Sequence, residues 1–91
     1  MEKVEITNNI RRLRFEHGEM TQQELADRIG VTRQTVNAIE LGKYSPSLEV
    51  AFRIAHTFGM GVEEVFEFAV NGKPHDFARA SQGGRRSGRS R

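Results

Sequence analysis

The stretch from Gln22 to Leu41 constrains this chain more than any other. It reads QQELADRIGVTRQTVNAIEL, two short helical patterns hinged at Gly30. A tight turn between two helices needs a residue that takes φ > 0 without penalty, and glycine does so. Ala26 is small where the second helix must cross the first. Leu25, Ile29 and Val31 are apolar at helix and turn positions that face inward. Val36 and Ile39 give the second helix an i, i+3 apolar stripe. With those two buried, Arg33, Gln34, Asn37 and Ala38 must point outward.

The capping chemistry agrees with this division. Thr21 and Glu24 stand in the T-x-x-E spacing of a capping box that opens the first of the two helices. Thr32 suits the N-cap of the second. Gly42 follows the last periodic residue, where a C′ glycine ends a helix.

The flanking segments extend the helical pattern. Thr7 or Asn8 can cap a first helix running to about His17, with Ile10 and Leu13 inside and Arg11 and Arg12 outside. Met20 returns to the core just before the capping box. After a turn-rich loop, Gly42 to Ser47, Ser47 can cap a fourth helix from Leu48 to about Phe58. Its inner face is predicted to carry Leu48, Ala51, Ile54, Ala55 and Phe58. Gly59 stops it. A fifth short helix, VEEVF, follows Gly61, with Glu63 and Glu64 at the positive end of its dipole. From Val65 to Val70 the pattern shifts towards alternation, which suggests an apolar extension as a strand. Met1 to Asn9 reads as an arm, or as a brief strand if a partner supplies the second one. The predicted organisation is a domain over 1–70, with the two-helix motif at 22–41, and a Gly/Ser/Arg tail over 71–91 with little to bury and an expectation of disorder.

Composition narrows the class. A chain of 91 residues without cysteine has no disulfide framework and no thiolate metal site. No apolar run reaches the roughly 18 residues needed to cross a membrane, and MEKVEITNN lacks the pattern of a signal peptide; a cytoplasmic protein is the expectation. Net charge is +2 but unevenly spread: residues 1–70 hold 8 Lys/Arg against 11 Asp/Glu, and residues 71–91 hold 6 against 1. Attraction of the body to a polyanion must therefore come from a locally basic face. His17, His56 and His75 have no ligand spacing. No Ser-His-acid set and no phosphate-binding glycine loop is suggested, so neither enzyme, metal nor cofactor is expected.

From Arg12 to Phe66 the chain resembles the Cro/CI-type (XRE) helix-turn-helix regulators, the phage-repressor-like family. The residues carrying the resemblance are RLR at Arg12 to Arg14, TQQELA at Thr21 to Ala26, IGVTRQTV at Ile29 to Val36, Ile39-Glu40, GKYSPSL at Gly42 to Leu48, and Ile54-Ala55. One departure is an extra residue before the motif, Gly18-Glu19-Met20 where Gly-Leu is usual. The resemblance implies an all-α, five-helix, lambda-repressor-like domain that binds a double-stranded DNA operator, usually as a homodimer on a pseudo-palindrome. By the same resemblance, Arg33, Gln34, Asn37 and Ala38 fall at base-reading positions. Gln22, Thr32, Lys43, Tyr44 and Ser47 fall at phosphate-contacting positions, and Arg14 and Glu40 at those of a structural ion pair.

The chemistry suits those positions. Arg33 can donate two hydrogen bonds to guanine O6 and N7, and Gln34 can pair with adenine N6 and N7 or lie across to a phosphate. Asn37, one turn beyond Arg33, suits a base edge or a phosphate equally. The methyl of Ala38 offers only contact with thymine. Outside this motif such residues would be an ordinary solvated helix face. A homodimer needs apolar surface beyond the core, and Val62, Val65, Phe66, Phe68 and Val70 are the candidates, with Val65 and Phe66 also helping to close the core. The expectation is a transcription regulator, a repressor, with no small-molecule effector domain. The rival is a protein-interaction module, such as an antitoxin, that captures a partner protein through Val65 to Val70. The tail arginines suit either a loose hold on DNA or simple solubility.

Overall fold

Alternation at the two ends of the domain makes a sheet, and the helices lie between. The computed structural model describes residues 3–74. In order these form β1 (Val4–Asn8), α1 (Ile10–Glu16), α2 (Gln22–Ile29), α3 (Arg33–Glu40), α4 (Leu48–Phe58), α5 (Val62–Val65), β2 (Phe66–Val70) and β3 (Lys73–Pro74). The sheet order is β1-β2-β3, antiparallel throughout. An all-α fold is therefore too narrow: the helical core carries a small sheet made from the chain's own N-terminal arm and its C-terminal extension. The second strand that the arm needed is supplied by β2 of the same chain, with Val4 opposite Val70 and Ile6 opposite Phe68.

Local chemistry sets the helix ends. Thr21 and Glu24 form the reciprocal capping box of α2. Thr32 Oγ1 accepts from Thr35 N at 3.1 Å to open α3, and Ser47 Oγ from Val50 N at 3.2 Å to open α4. Gly30 closes α2 at φ +80°. α1 begins differently: its N-cap, Asn9, makes no side-chain cap bond, and Oδ1 of Asn8 instead accepts from Ile10 N at 3.2 Å.

The core gathers Ile10 and Leu13 of α1, Met20 of the connection that follows, Leu25, Ala26 and Ile29 of α2, Val36 and Ile39 of α3, Ile54, Ala55 and Phe58 of α4, and Val65 of α5. Burial of each large aliphatic contributes about 1.5–3 kcal/mol against leaving it in water. Leu48 departs from the expected inner face of α4. It is the first residue of α4 and is 72% exposed, with no described element covering that end.

The sheet is tied to the helices by backbone and amide bonds. Asn9 N donates to Val65 O at 2.8 Å, and Asn8 Nδ2 to Ile39 O at 2.9 Å. At the far end Asn71 N donates to Lys3 O at 2.7 Å. The β2–β3 connection is Asn71-Gly72, both at positive φ (54° and 81°), the backbone that a two-residue hairpin favours. The sheet among the described residues thus extends beyond residue 70, to β3. The tail expected to be disordered lies, from residue 75 on, outside the described residues.

Candidate nucleic-acid interface

The outward face of α3 is fixed by what its other face buries. Val36 and Ile39 are 1% and 2% exposed. Four-residue spacing then sets Arg33 and Asn37 one above the other on the opposite side. Arg33, Gln34 and Asn37 are exposed, and Ala38 is half-buried beside them. Among the described residues, Arg33 and Gln34 have no side-chain hydrogen bond or ion pair, so five N–H groups of a guanidinium and a full carboxamide are available to a ligand.

Asn37 is different. Its Oδ1 accepts from Gln22 Nε2 at 3.1 Å, and the same nitrogen donates to Glu40 Oε1 at 3.2 Å. Gln22, the first residue of α2, thereby bridges the two helices of the motif. Behind it stands the Arg14–Glu40 pair. Nε of Arg14 donates to Oε2 of Glu40 at 2.6 Å and Nη2 to Oε1 at 3.1 Å, while Nη1 donates to the Met20 carbonyl at 2.8 Å. The bidentate geometry is that of a strong charge-assisted contact. It also neutralises the only carboxylate on α3.

Lys43 and Tyr44 stand exposed in the loop after α3, Tyr44 at 54%. Ser47, exposed, uses its hydroxyl to cap α4. Thr32 does the same for α3 and also meets the Thr35 hydroxyl at 2.9 Å. The amides opening α3 and α4 add the positive ends of two helix dipoles to Arg33 and Lys43. Arg33 and Lys43 are thus exposed cations on a body whose total charge over residues 1–70 is negative.

The apolar candidates divide. Val65 is 0% exposed and belongs to the core, so it offers nothing to a second chain; α5 turns it under α4. Val62, Phe66, Phe68 and Val70 remain half-buried. The pairing adds two residues that the sequence reading missed, Val4 and Ile6, at 50% and 49% exposure. Their alternation is visible in the sequence, but their neighbours across the sheet are more than sixty positions away. Among the described residues there is no group of three His, Cys, Asp or Glu side chains able to hold a metal ion, and no helix long and apolar enough to cross a membrane.

Comparison with known proteins agrees with the geometry. The helix-turn-helix family profile matches residues 10–65, which spans α1 to α5. An uncharacterized HTH-type transcriptional regulator of Methanocaldococcus jannaschii is 55% identical over 47 residues, covering 52% of this chain and 71% of the relative. The uncharacterized HTH-type transcriptional regulator YgzD of Bacillus subtilis is 48% identical over 59 residues, 65% of this chain and 88% of the relative. The cryptic phage CTXphi transcriptional repressor RstR of Vibrio cholerae is 37% identical over 59 residues, 65% of this chain and 52% of its own length.

Proposed function

Because the chain belongs to the helix-turn-helix family of DNA-binding transcription regulators, of Cro/CI type, we propose that it is a repressor that reads a pseudo-palindromic operator as a homodimer, acting in the cytoplasm. The observation that carries the reading is the free, outward-facing set on α3: Arg33 and Gln34 uncommitted, Asn37 beside them, Glu40 neutralised behind them. In this reading α3 lies in the major groove, the width of which admits one helix. Arg33 reads guanine, Gln34 reads adenine, and Ala38 allows a thymine methyl. Lys43, Tyr44, Thr32 and Ser47 hold the phosphates that flank the groove, and Gln22, whose amide hydrogens are taken by Asn37 and Glu40, adds its backbone N–H at the start of α2; these contacts fix register without choosing sequence.

Dimerisation follows from affinity. A single recognition helix on one half-site binds too weakly to compete with bulk genomic DNA. Two copies related by a two-fold axis present two α3 helices about 34 Å apart, one turn of the duplex. The apolar sheet face of Val4, Ile6, Phe68 and Val70, with Val62 and Phe66 beside it, is the proposed contact. The repressor role is supported by the similarity to RstR.

Selection of bound sites from random duplex DNA tests the function. The expected result is an inverted repeat whose half-sites recur about one helical turn apart. Recovery of no enriched sequence would overturn sequence-specific reading, and recovery of a lone half-site would overturn the dimer.

A further inference from the structure

We propose that Gln22 locks the carboxamide of Asn37 with its nitrogen turned towards DNA, so that Asn37 selects against cytosine at the base it faces. The inference rests on the reading of α3 as the recognition helix.

An asparagine amide is nearly symmetric in shape but not in chemistry. Rotated by half a turn it offers an acceptor where it had offered a donor. In the major groove the difference decides the base. Guanine presents two acceptors, thymine one, adenine an acceptor and a donor, and cytosine only its amino donor. A freely rotating Asn37 would suit any of them.

Here the rotation is set by a chain of forced choices. Glu40 is held by two hydrogen bonds from Arg14, with side chains 9% and 8% exposed. A carboxylate only accepts, so the Gln22 group that meets Glu40 Oε1 at 3.2 Å must be Nε2. That nitrogen carries a second hydrogen, which it gives to Asn37 at 3.1 Å. The atom receiving it must be an acceptor, Oδ1. Nδ2 is therefore on the other side of the amide, on an exposed residue, and it has no hydrogen-bond partner among the described residues. The buried ion pair thus determines, through one glutamine, which end of a surface asparagine faces the groove. Gln22 is a positioning residue for this choice; with both Nε2 hydrogens engaged, any phosphate contact it makes is through its backbone N–H. Against cytosine, the Nδ2 donor meets another donor and neither is satisfied.

The test measures ratios of affinity on the selected operator. The position facing Asn37 is the one at which Asn37→Ala loses preference, and all four base pairs are then compared there. Wild type is expected to bind the cytosine variant about tenfold or more weaker than the guanine variant. Gln22→Ala is expected to shrink that ratio to roughly two- to threefold, since the freed amide can turn to accept from cytosine. A lost phosphate contact would lower every affinity by a common factor and leave the ratio alone. Asn37→Asp, which keeps Gln22 in place but removes the donor, is expected to rank cytosine above guanine. Arg33→Ala serves as the control and should relax a different position while sparing this one. The proposal is overturned if wild type favours cytosine at this position, if Gln22→Ala leaves the ratio unchanged, or if Asn37→Ala alters no position while Arg33→Ala does. If neither Arg33→Ala nor Asn37→Ala alters any base preference, the reading of α3 itself fails.

Discussion

Arg14 and Glu40 form a two-pronged ion pair that joins α1 to the end of α3, at 2.6 and 3.1 Å, with both side chains almost removed from water. Its third guanidinium nitrogen is spent on the Met20 carbonyl, which anchors the connection between α1 and α2. One arginine therefore ties α1, the connection after it and α3 to one another, and the angle of α3 depends on it.

Removing one partner should be worse than removing both. Arg14→Ala leaves a carboxylate stranded where water reaches poorly, at a cost of about 3–5 kcal/mol. For a domain of this size that would lower the melting temperature by more than about 10 °C. Replacing the pair together, Arg14→Met with Glu40→Leu, should recover much of the loss, because packed apolar groups need no desolvation of charge. Thermal denaturation of the three proteins decides this. A double variant no more stable than Arg14→Ala alone would show that the Met20 contact, not the ion pair, carries the arginine's contribution.

Gly30 invites a test that separates space from backbone. A β-carbon added there would meet only Nη1 of Arg53, at 3.6 Å, an ordinary contact with a movable side chain. The φ of +80° is the problem, and a non-glycine residue in that region costs about 1–2 kcal/mol. Gly30→Ala should destabilise by about that amount, while Gly30→Asn should lose less, since asparagine tolerates the left-handed region. Equal losses from the two would point to the contact with Arg53 rather than to the backbone.

Base reading and phosphate binding should separate in salt. Arg33→Ala is expected to cost about 1–3 kcal/mol on the operator and relax discrimination at one base pair in each half-site. Lys43→Ala should weaken binding to operator and random DNA alike, and reduce the salt slope by about one ion. Affinities for both DNAs at several salt concentrations check it. The same factor of loss for both variants on both DNAs would contradict the assignment of Arg33 to a base edge.

The parts of this fold that the sequence declares are the ones decided within a few residues. Thr21 and Glu24, Thr32, Ser47, Gly30 and Gly59 each act on a backbone group no more than five positions away, so the helix limits follow from local chemistry. Leu48 shows where periodicity fails: its spacing from Ala51 is correct for the inner face, but a residue at the first position of a helix is buried only if another element reaches that far. The β1–β2 pairing depends on contacts between segments about sixty residues apart, which no local pattern specifies. The Asn71-Gly72 hairpin, by contrast, carried a readable turn signal that the basic composition after it obscured. At the candidate site, Arg33 and Gln34 are legible because burial of Val36 and Ile39 dictates their direction. The double role of Gln22 is not, since it needs the crossing of α2 over α3 to bring its amide to both Asn37 and Glu40.

The sheet gives the sharpest test of the dimer. Strand periodicity puts Val4 and Ile6 on the same face as their partners Val70 and Phe68, and neither Val4 nor Ile6 packs into the core cluster. Four apolar side chains side by side, two of them about half exposed, form a strip that a soluble protein ordinarily covers. Charges there should abolish pairing without touching the core. Val4→Glu with Ile6→Glu is expected to give a folded monomer by sedimentation, with its helical signal retained and operator affinity lowered by a far larger factor than affinity for one half-site. The change costs little folding energy because both positions are already half in water, so a loss of helicity would mean that β1 is needed to hold the helical core together. Wild-type protein sedimenting as a monomer at tens of micromolar would remove the homodimer, and with it the expectation of a palindromic operator.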